Sequence, residues 1–261
     1  MDELLRINDL SYKKKLKKIN LFIGYDRWYT LLGNNSSGKT ILVKIIVGLI
    51  KDYTGEIEFN YMLLNKENLN EIRDKISVIF TNIDDNIVEN NVYDEIAFEL
   101  KNMNYDKSFI ENAIDEIDKL TDIKSIINKN ILDLTIEEKY LLVLTSALIK
   151  KPKLLILDSC FTNISNSFKK KIYQIIKKYN ENNKLTVINI TNDIEDALLG
   201  NNIILLENKK IAFNETTKKV FNDEMLKEKP FILNLSESLK LYELIDENYF
   251  NKEELVDKLW K

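Results

Sequence analysis

Eight consecutive residues, Gly33, Asn34, Asn35, Ser36, Ser37, Gly38, Lys39 and Thr40, fit the spacing G-x-x-x-x-G-K-[ST]. They stand between a β-like run, Trp28 to Leu32, and a helical pattern, Ile41 to Ile50. A loop of this kind turns successive backbone N–H groups towards a phosphate chain at a helix N-terminus, so it demands a strand, a tight turn and a helix in that order. Lys39 is placed to neutralise the outer phosphates and the Thr40 hydroxyl to ligate Mg²⁺. A second run, Leu154 to Leu157 followed by Asp158, has four apolar residues ending in a carboxylate. That is what a buried strand needs to deliver an acid to the same metal ion.

The rest of the chain supplies the matching frame. Short β-like runs occur at Leu4 to Ile7, Ile19 to Ile23, Glu56 to Phe59 and Ile76 to Phe80. A long helical region follows from about Asn91 to Lys150, with Tyr93, Ile96, Ala97 and Leu100 at helical spacing, and reads as an inserted subdomain. Alternation then returns: strand Leu154 to Leu157, helix Phe168 to Tyr179, strand Thr186 to Ile190, helix Ile194 to Leu199, and strands near Ile203 to Leu206 and Lys210 to Phe213. Such alternation predicts a mostly parallel sheet. Beyond Pro230 the pattern is helical in Phe231 to Ile245 and Lys252 to Trp260. The expected division is a nucleotide-binding domain over 1–225, with its helical subdomain at about 84–150, and a helical extension over 226–261. No internal repeat or flexible linker interrupts it.

Composition narrows the function classes. At 261 residues there is room for one such module, and 44% hydrophobic with 31% charged residues suits a packed globular chain. A net charge of −4 gives no field for holding nucleic acid. Cys160 has no mate for a disulfide or a cysteine metal site, and His is absent. No stretch approaches the ~18 apolar residues of a membrane span, so a membrane role is expected to come through a partner, at the cytoplasmic face.

The order of Tyr12, the phosphate loop, Phe80 to Asn82, Leu134 to Glu138, Asp158 and Thr191 to Asp193 resembles an ABC ATPase over nearly the whole chain. Val78-Ile79-Phe80-Thr81-Asn82, Val92-Tyr93-Asp94-Glu95-Ile96-Ala97-Phe98, Phe221-Asn222-Asp223-Glu224 and Pro230-Phe231 are similar to the energy-coupling factor (ECF) transporter ATPases. The resemblance implies an α/β fold of the P-loop NTPase type, with a mixed sheet core, an inserted helical subdomain and a C-terminal helical appendage. It also implies ATP with Mg²⁺ as ligands. The partners implied are a second ABC ATPase subunit, a transmembrane ECF scaffold and a substrate-binding membrane protein importing vitamins or metal ions.

The departures from that pattern carry the most information. Thr81 stands where the family has its Q-loop Gln, Ser159 where it has the catalytic Glu, Asn192 where it has the switch His, and Ser165 where it has the D-loop Asp. A serine cannot act as the general base that polarises the attacking water, a role worth ~10²–10⁴-fold in rate. Hydrolysis is therefore expected to be very slow, unless a relocated acid such as Asp193 or Glu195 substitutes. The family signature Leu-Ser-Gly-Gly-Gln aligns with Leu134, Thr135, Ile136, Glu137 and Glu138, where side chains and two carboxylates replace glycine. Thr135-x-x-Glu138 ahead of an apolar run also fits a capping box, which would close the helix end used elsewhere for ATP. In a face-to-face pair these losses damage both composite sites, so a better-equipped partner is expected.

Other features keep two readings. Tyr12 stands where the family stacks an aromatic on adenine, and equally suits a half-buried strand tyrosine. The lysines at 13, 14, 15, 17 and 18 suit nucleotide steering, anionic lipid, or a solvated turn. Ser36 occupies a loop position that favours glycine. Phe231, Leu233, Leu235, Leu239 and Leu241 suit a core or, by resemblance, a dimer contact. The alternative to an energising subunit is a pseudo-ATPase that binds nucleotide to regulate or stabilise a membrane assembly.

Overall fold

The computed structural model describes residues 3–161 and 164–260. Strands β1 (Glu3–Tyr12) and β2 (Leu16–Gly24) pair antiparallel across the Lys13–Lys15 turn, with Tyr12 opposite Leu16. Leu16, Ile19, Leu21 and Ile23 of β2 point inward and Lys17, Lys18, Asn20 and Phe22 outward, as a strand with one dry face requires. The five lysines of this hairpin are exposed. Strand β3 (Trp28–Leu32) is buried throughout and runs through the loop into α1 (Lys39–Ile46). α1 stops short of the expected Ile50, because the Leu49 and Ile50 amides both fold back onto the Lys44 carbonyl.

The chain continues through β4 (Thr54–Phe59), β5 (Met62–Leu63), α2 (Leu69–Asp74) and β6 (Ile76–Ile79). The helical region comprises α3 (Val92–Asn102), α4 (Lys107–Thr121) and α5 (Ile136–Ile149) rather than one continuous stretch. Asn104 and Asp122 adopt left-handed backbone at its breaks, and Asn91, Asp106 and Thr135 cap each restart. There follow β7 (Leu154–Asp158), α6 (Asn166–Asn183), β8 (Thr186–Ile190), β9 (Asn202–Glu207), β10 (Lys210–Thr216), α7 (Thr217–Asn222), α8 (Phe231–Leu241) and α9 (Lys252–Leu259). Residues 194–199, expected as an α-helix, form a 3₁₀ turn. α8 ends at Leu241, where left-handed Glu243 turns the Leu244 amide back onto the Leu239 carbonyl.

Two sheets result. The smaller is antiparallel in the order β2-β1-β4-β5; the larger runs β10-β9-β3-β8-β7-β6 and is parallel except for β10. Successive residues of β7 feed opposite cores. Leu154 and Ile156 join α1 and the antiparallel sheet, while Leu155 and Leu157 join α3 to α6. Because β3, β6, β7 and β8 run in parallel, the loops after Leu32, Ile79, Asp158 and Ile190 all leave from the same sheet edge. That edge is where open parallel sheets place their ligands.

At the start of α5 the Glu138 amide donates to Thr135 Oγ1 at 3.3 Å and the Thr135 amide donates to Glu138 Oε2 at 2.8 Å, so both halves of the capping box form. Thr135→Ala should therefore lower stability by about 1 kcal/mol. In a domain of this size that is a Tm decrease of about 2–4 °C by scanning calorimetry, while Thr135→Ser should hold the wild-type value.

Candidate functional site

The loop after β3 curls around the ammonium of Lys39. Lys39 Nζ donates to the Gly33 carbonyl, to the Asn34 carbonyl at 3.1 Å and to Asn192 Oδ1 at 2.9 Å. These three acceptors use all three of its N–H donors. Burial pulls the Lys39 pKa below its usual value, and the charge of Asp158 acts against that shift. Gly38 caps α1 at φ 113°, and a Cβ there would sit 2.7 Å from Leu16 Cδ2. At Gly33 a Cβ would meet the Leu206 carbonyl. Both positions thus need glycine for space as well as for conformation. Ser36 takes φ 66°, the left-handed region that the sequence assigned to a glycine-like position.

Thr40 Oγ1 donates to Asp158 Oδ1 at 3.2 Å, joining the first turn of α1 to the end of β7. Asp158 is fully buried, and its Oδ2 has no hydrogen-bond partner. Burial raises its pKa, with the Thr40 hydroxyl and the Lys39 charge opposing the rise. A buried carboxylate oxygen left unpaired beside a threonine hydroxyl suits a hard cation. Among the described residues no cluster of three or more His, Cys, Asp or Glu is placed to hold a metal. One carboxylate plus substrate phosphates is nevertheless a usual setting for Mg²⁺. The sign of the titration follows from the raised pKa. The ligand-free fold binds the Asp158 proton more tightly than the unfolded chain does, so its stability increases as the pH falls through the folded-state value towards the unfolded value of about 3.9. Asp158→Asn should accordingly raise the Tm of ligand-free protein at pH 7. The gain should vanish in acid, and the added stabilisation by Mg²⁺ over nucleotide alone should disappear.

Of the residues read from sequence, Asn192, Thr81 and Ser159 are also gathered here. Asn192 Nδ2 donates to Asn35 Oδ1 at 2.6 Å, so this side chain ties the loop to Lys39. Thr81 Oγ1 donates to the Asp158 carbonyl at 2.8 Å. Ser159, at φ 52°, anchors its amide on the Ile190 carbonyl at 3.0 Å. It opens on a cleft of about 350 Å³ shared with Asn192, Lys169, Tyr173 and Asp196. Ser37 Oγ is buried without a partner. Tyr12 is half-buried at the end of β1, with the Lys13 ammonium 5.0 Å from its ring centre, next to the Lys15 and Leu16 that abut Gly38.

Leu134, Thr135, Ile136, Glu137 and Glu138 lie in the helical half. Glu138 pairs with Lys129 at 2.7 Å and Glu137 Oε1 accepts from Ser165 Oγ at 3.4 Å; none of the contacts described for this segment reaches the loop. Ser165 itself caps α6 by accepting from the Phe168 amide.

One cluster was not foreseen from sequence. Lys169 of α6 pairs with Asp196 at 2.7 Å and Asp193 at 3.1 Å, and Thr191 Oγ1 donates to Asp196 Oδ2 at 2.8 Å. Burial lowers the Lys169 pKa, but its bonds and charge pairing with Asp196 and Asp193 outweigh this and hold it charged. The spacing Thr191-x-Asp193 signals a capped turn, whereas nothing in sequence marks Lys169 as its partner. The two acids read from sequence as substitutes for the missing Glu are both engaged in this turn. Asp193 accepts from Lys169 and from the Glu195 amide, and Glu195 Oε1 accepts from the Phe231 amide at 2.7 Å.

Comparison with known proteins agrees with this geometry. Residues 16–162 match the model of the ABC transporter family. The chain is 33% identical over 252 residues to the energy-coupling factor transporter ATP-binding protein EcfA1 of Mesomycoplasma hyopneumoniae, covering 94% of this chain and 91% of that one. It is 30% identical over 251 residues to EcfA of Pediococcus pentosaceus, covering 92% and 90%. Among solved structures, cbiO1 from Clostridium perfringens, part of the ABC transporter complex cbiONQ, superposes with a TM-score of 0.80 at 22% identity, covering 92% and 96%. The ATP-binding cassette MJ0796, a dimer bound to ADP and Pi, does so with a TM-score of 0.72 at 23% identity, covering 82% and 98%. These two share the fold. With a phosphate loop closed around Lys39 and Asp158 set against Thr40, the chain belongs to the ABC transporter ATP-binding family, among its energy-coupling factor members.

Proposed function

We propose that this chain binds Mg-ATP in its P-loop, hydrolyses it very slowly, and works beside a better-equipped ATPase subunit in an ECF-type importer of vitamins or metal ions. The single observation that carries this reading is the combination at one sheet edge of a complete phosphate loop with Ser159 and Asn192 in place of acid–base groups and Thr81 in place of a Gln. On this reading Tyr12 would stack on adenine, the 33–38 amides and Lys39 would take the phosphates, and Thr40 with Asp158 would hold magnesium, a role that the Thr40–Asp158 hydrogen bond supports. The ion, when bound, offsets the charge on the outer phosphates. The chain supplies binding and orientation, and at Ser159 a hydroxyl that cannot accept a proton from water near neutral pH.

The capping box of α5, with Ile136 and Glu137 in place of glycine, supports the further reading that this subunit gives its partner's nucleotide little grip. No helix among the described residues is long and apolar enough to cross a membrane. Attachment at the cytoplasmic face is therefore proposed to run through a transmembrane scaffold and its substrate-binding protein. Residues 226–261 are taken as a separate C-terminal extension of the domain over 1–225.

The test is ATP binding and turnover by the purified chain, alone and with its co-purified partner. Binding with turnover only in the pair supports the energising role. Binding without turnover in either setting supports the regulatory alternative, which the closed α5 also favours. Brisk turnover by the chain alone overturns the reading of Ser159 and Asn192.

A further inference from the structure

Lys39 has no free donor in this structure, and of its three acceptors only Asn192 Oδ1 belongs to a side chain. A phosphate that takes Lys39 must displace an acceptor. The two carbonyls are fixed in the loop that cradles the ligand, so Asn192 is the acceptor free to leave. It does not move alone. Thr191 Oγ1 accepts from the Asp193 amide at 3.0 Å and donates to Asp196, Asp193 caps the Glu195 amide at 3.0 Å, and Lys169 binds both Asp193 and Asp196. Residues 191–196 therefore form one cross-braced turn.

The far side of that turn holds the C-terminal helices. Pro230, the residue before α8, offers no side-chain cap, and Glu195 Oε1 supplies one by accepting from the Phe231 amide. Ile194 and Leu198 pack with Leu32, Leu226 and Leu233 in the same apolar cluster. Between the P-loop and residues 225–228 lies a cleft of about 490 Å³ bordered by Asn35, Asn192 and Ile194, so the turn has room to shift. α8 meanwhile leaves Phe231 and Leu241 exposed at 69% and 81%.

We propose that phosphate binding displaces Asn192 from Lys39 and that the 191–196 turn transmits the displacement through Glu195 to the N-terminus of α8, making that helix's order a readout of nucleotide occupancy. The proposal rests on the nucleotide-binding reading above. Linkage makes it reciprocal: a partner seated on α8 shifts nucleotide affinity by the factor by which nucleotide shifts its own.

Hydrogen exchange of the 231–241 amides, measured by mass spectrometry with and without Mg-ATP, tests it alongside equilibrium nucleotide titrations. Wild-type protein should show a several-fold change in exchange on saturation. Glu195→Ala should exchange rapidly in α8 with or without nucleotide while keeping its affinity within about twofold, and Glu195→Gln, which retains the acceptor, should respond like wild type. Asn192→Ala should bind Mg-ADP about tenfold more tightly, since one charge-assisted bond no longer competes. Wild-type protein that binds ATP with unchanged exchange in α8 overturns the linkage, as does Glu195→Ala that still responds. Asn192→Ala that binds ADP no more tightly overturns the displacement. Absence of any nucleotide binding by wild type overturns the nucleotide-site reading, and this proposal with it, and is told apart by the titration itself.

Discussion

Lys39→Ala should leave the chain folded and lower its affinity for Mg-ATP by at least about a hundredfold, since the ammonium makes charge-assisted bonds worth about 1.5–3 kcal/mol each and about 1.4 kcal/mol is a tenfold change. The fold should tolerate the change because burial already penalises this charge and its acceptors belong to the loop and Asn192. Two carbonyls, however, lose a donor, so the apo Tm need not rise. The check is a nucleotide titration paired with thermal unfolding. A variant that unfolds normally yet binds ATP as tightly as wild type would remove the P-loop from the mechanism.

The second large effect concerns turnover. In complex with the partner subunit, Ser159→Glu should raise ATP hydrolysis by about 10²–10⁴-fold, the usual contribution of a positioned general base. The position suits the substitution. Ser159 follows Asp158 directly, its amide is held on the Ile190 carbonyl, and its side chain meets a cleft that also reaches Asn192. In the chain alone the gain should be far smaller, because a second copy offers an α5 end where Thr135 and Glu138 bond each other and Ile136 and Glu137 stand in place of glycine. Steady-state phosphate release from both preparations distinguishes the cases. An equal gain in each would show that α5 plays no part in the site.

How much of this was legible in sequence depended on whether the determinants were local. β3 and β8 keep the bounds read from sequence, Trp28–Leu32 and Thr186–Ile190, because each is a short run buried along its whole length. The capping box was legible because both of its bonds join residues three apart. The P-loop and Asp158 are legible because each is a short local run, and their meeting through Thr40 follows from β3 and β7 both pairing in parallel with β8 between them. β5, α2 and α7, with two, six and six residues, are too short to show a period and were missed. The breaks at Asn104 and Asp122 lie within an otherwise helical pattern and appear only in the backbone angles. Lys169 is 27 residues from Asp196, and its helix face gives no sign that a buried acid waits across the loop. The bond between Glu195 and Phe231 is hidden in the same way, since it joins a turn to a helix 36 residues later.

The capping box at Thr135 bears on time as well as affinity. In a face-to-face pair with a fully equipped partner, the nucleotide on this chain's P-loop is gripped from both sides but faces Ser159. The nucleotide on the partner's P-loop faces a complete acid but meets an α5 end where Thr135 and Glu138 are spent on their own capping box and Ile136 and Glu137 stand in place of glycine. Each composite site then lacks a different part, one the means to cleave and the other the means to clamp. On the function proposed above, such a pair would close on one ATP and stay closed for as long as that ATP survives, which would make this subunit the timer of the closed state.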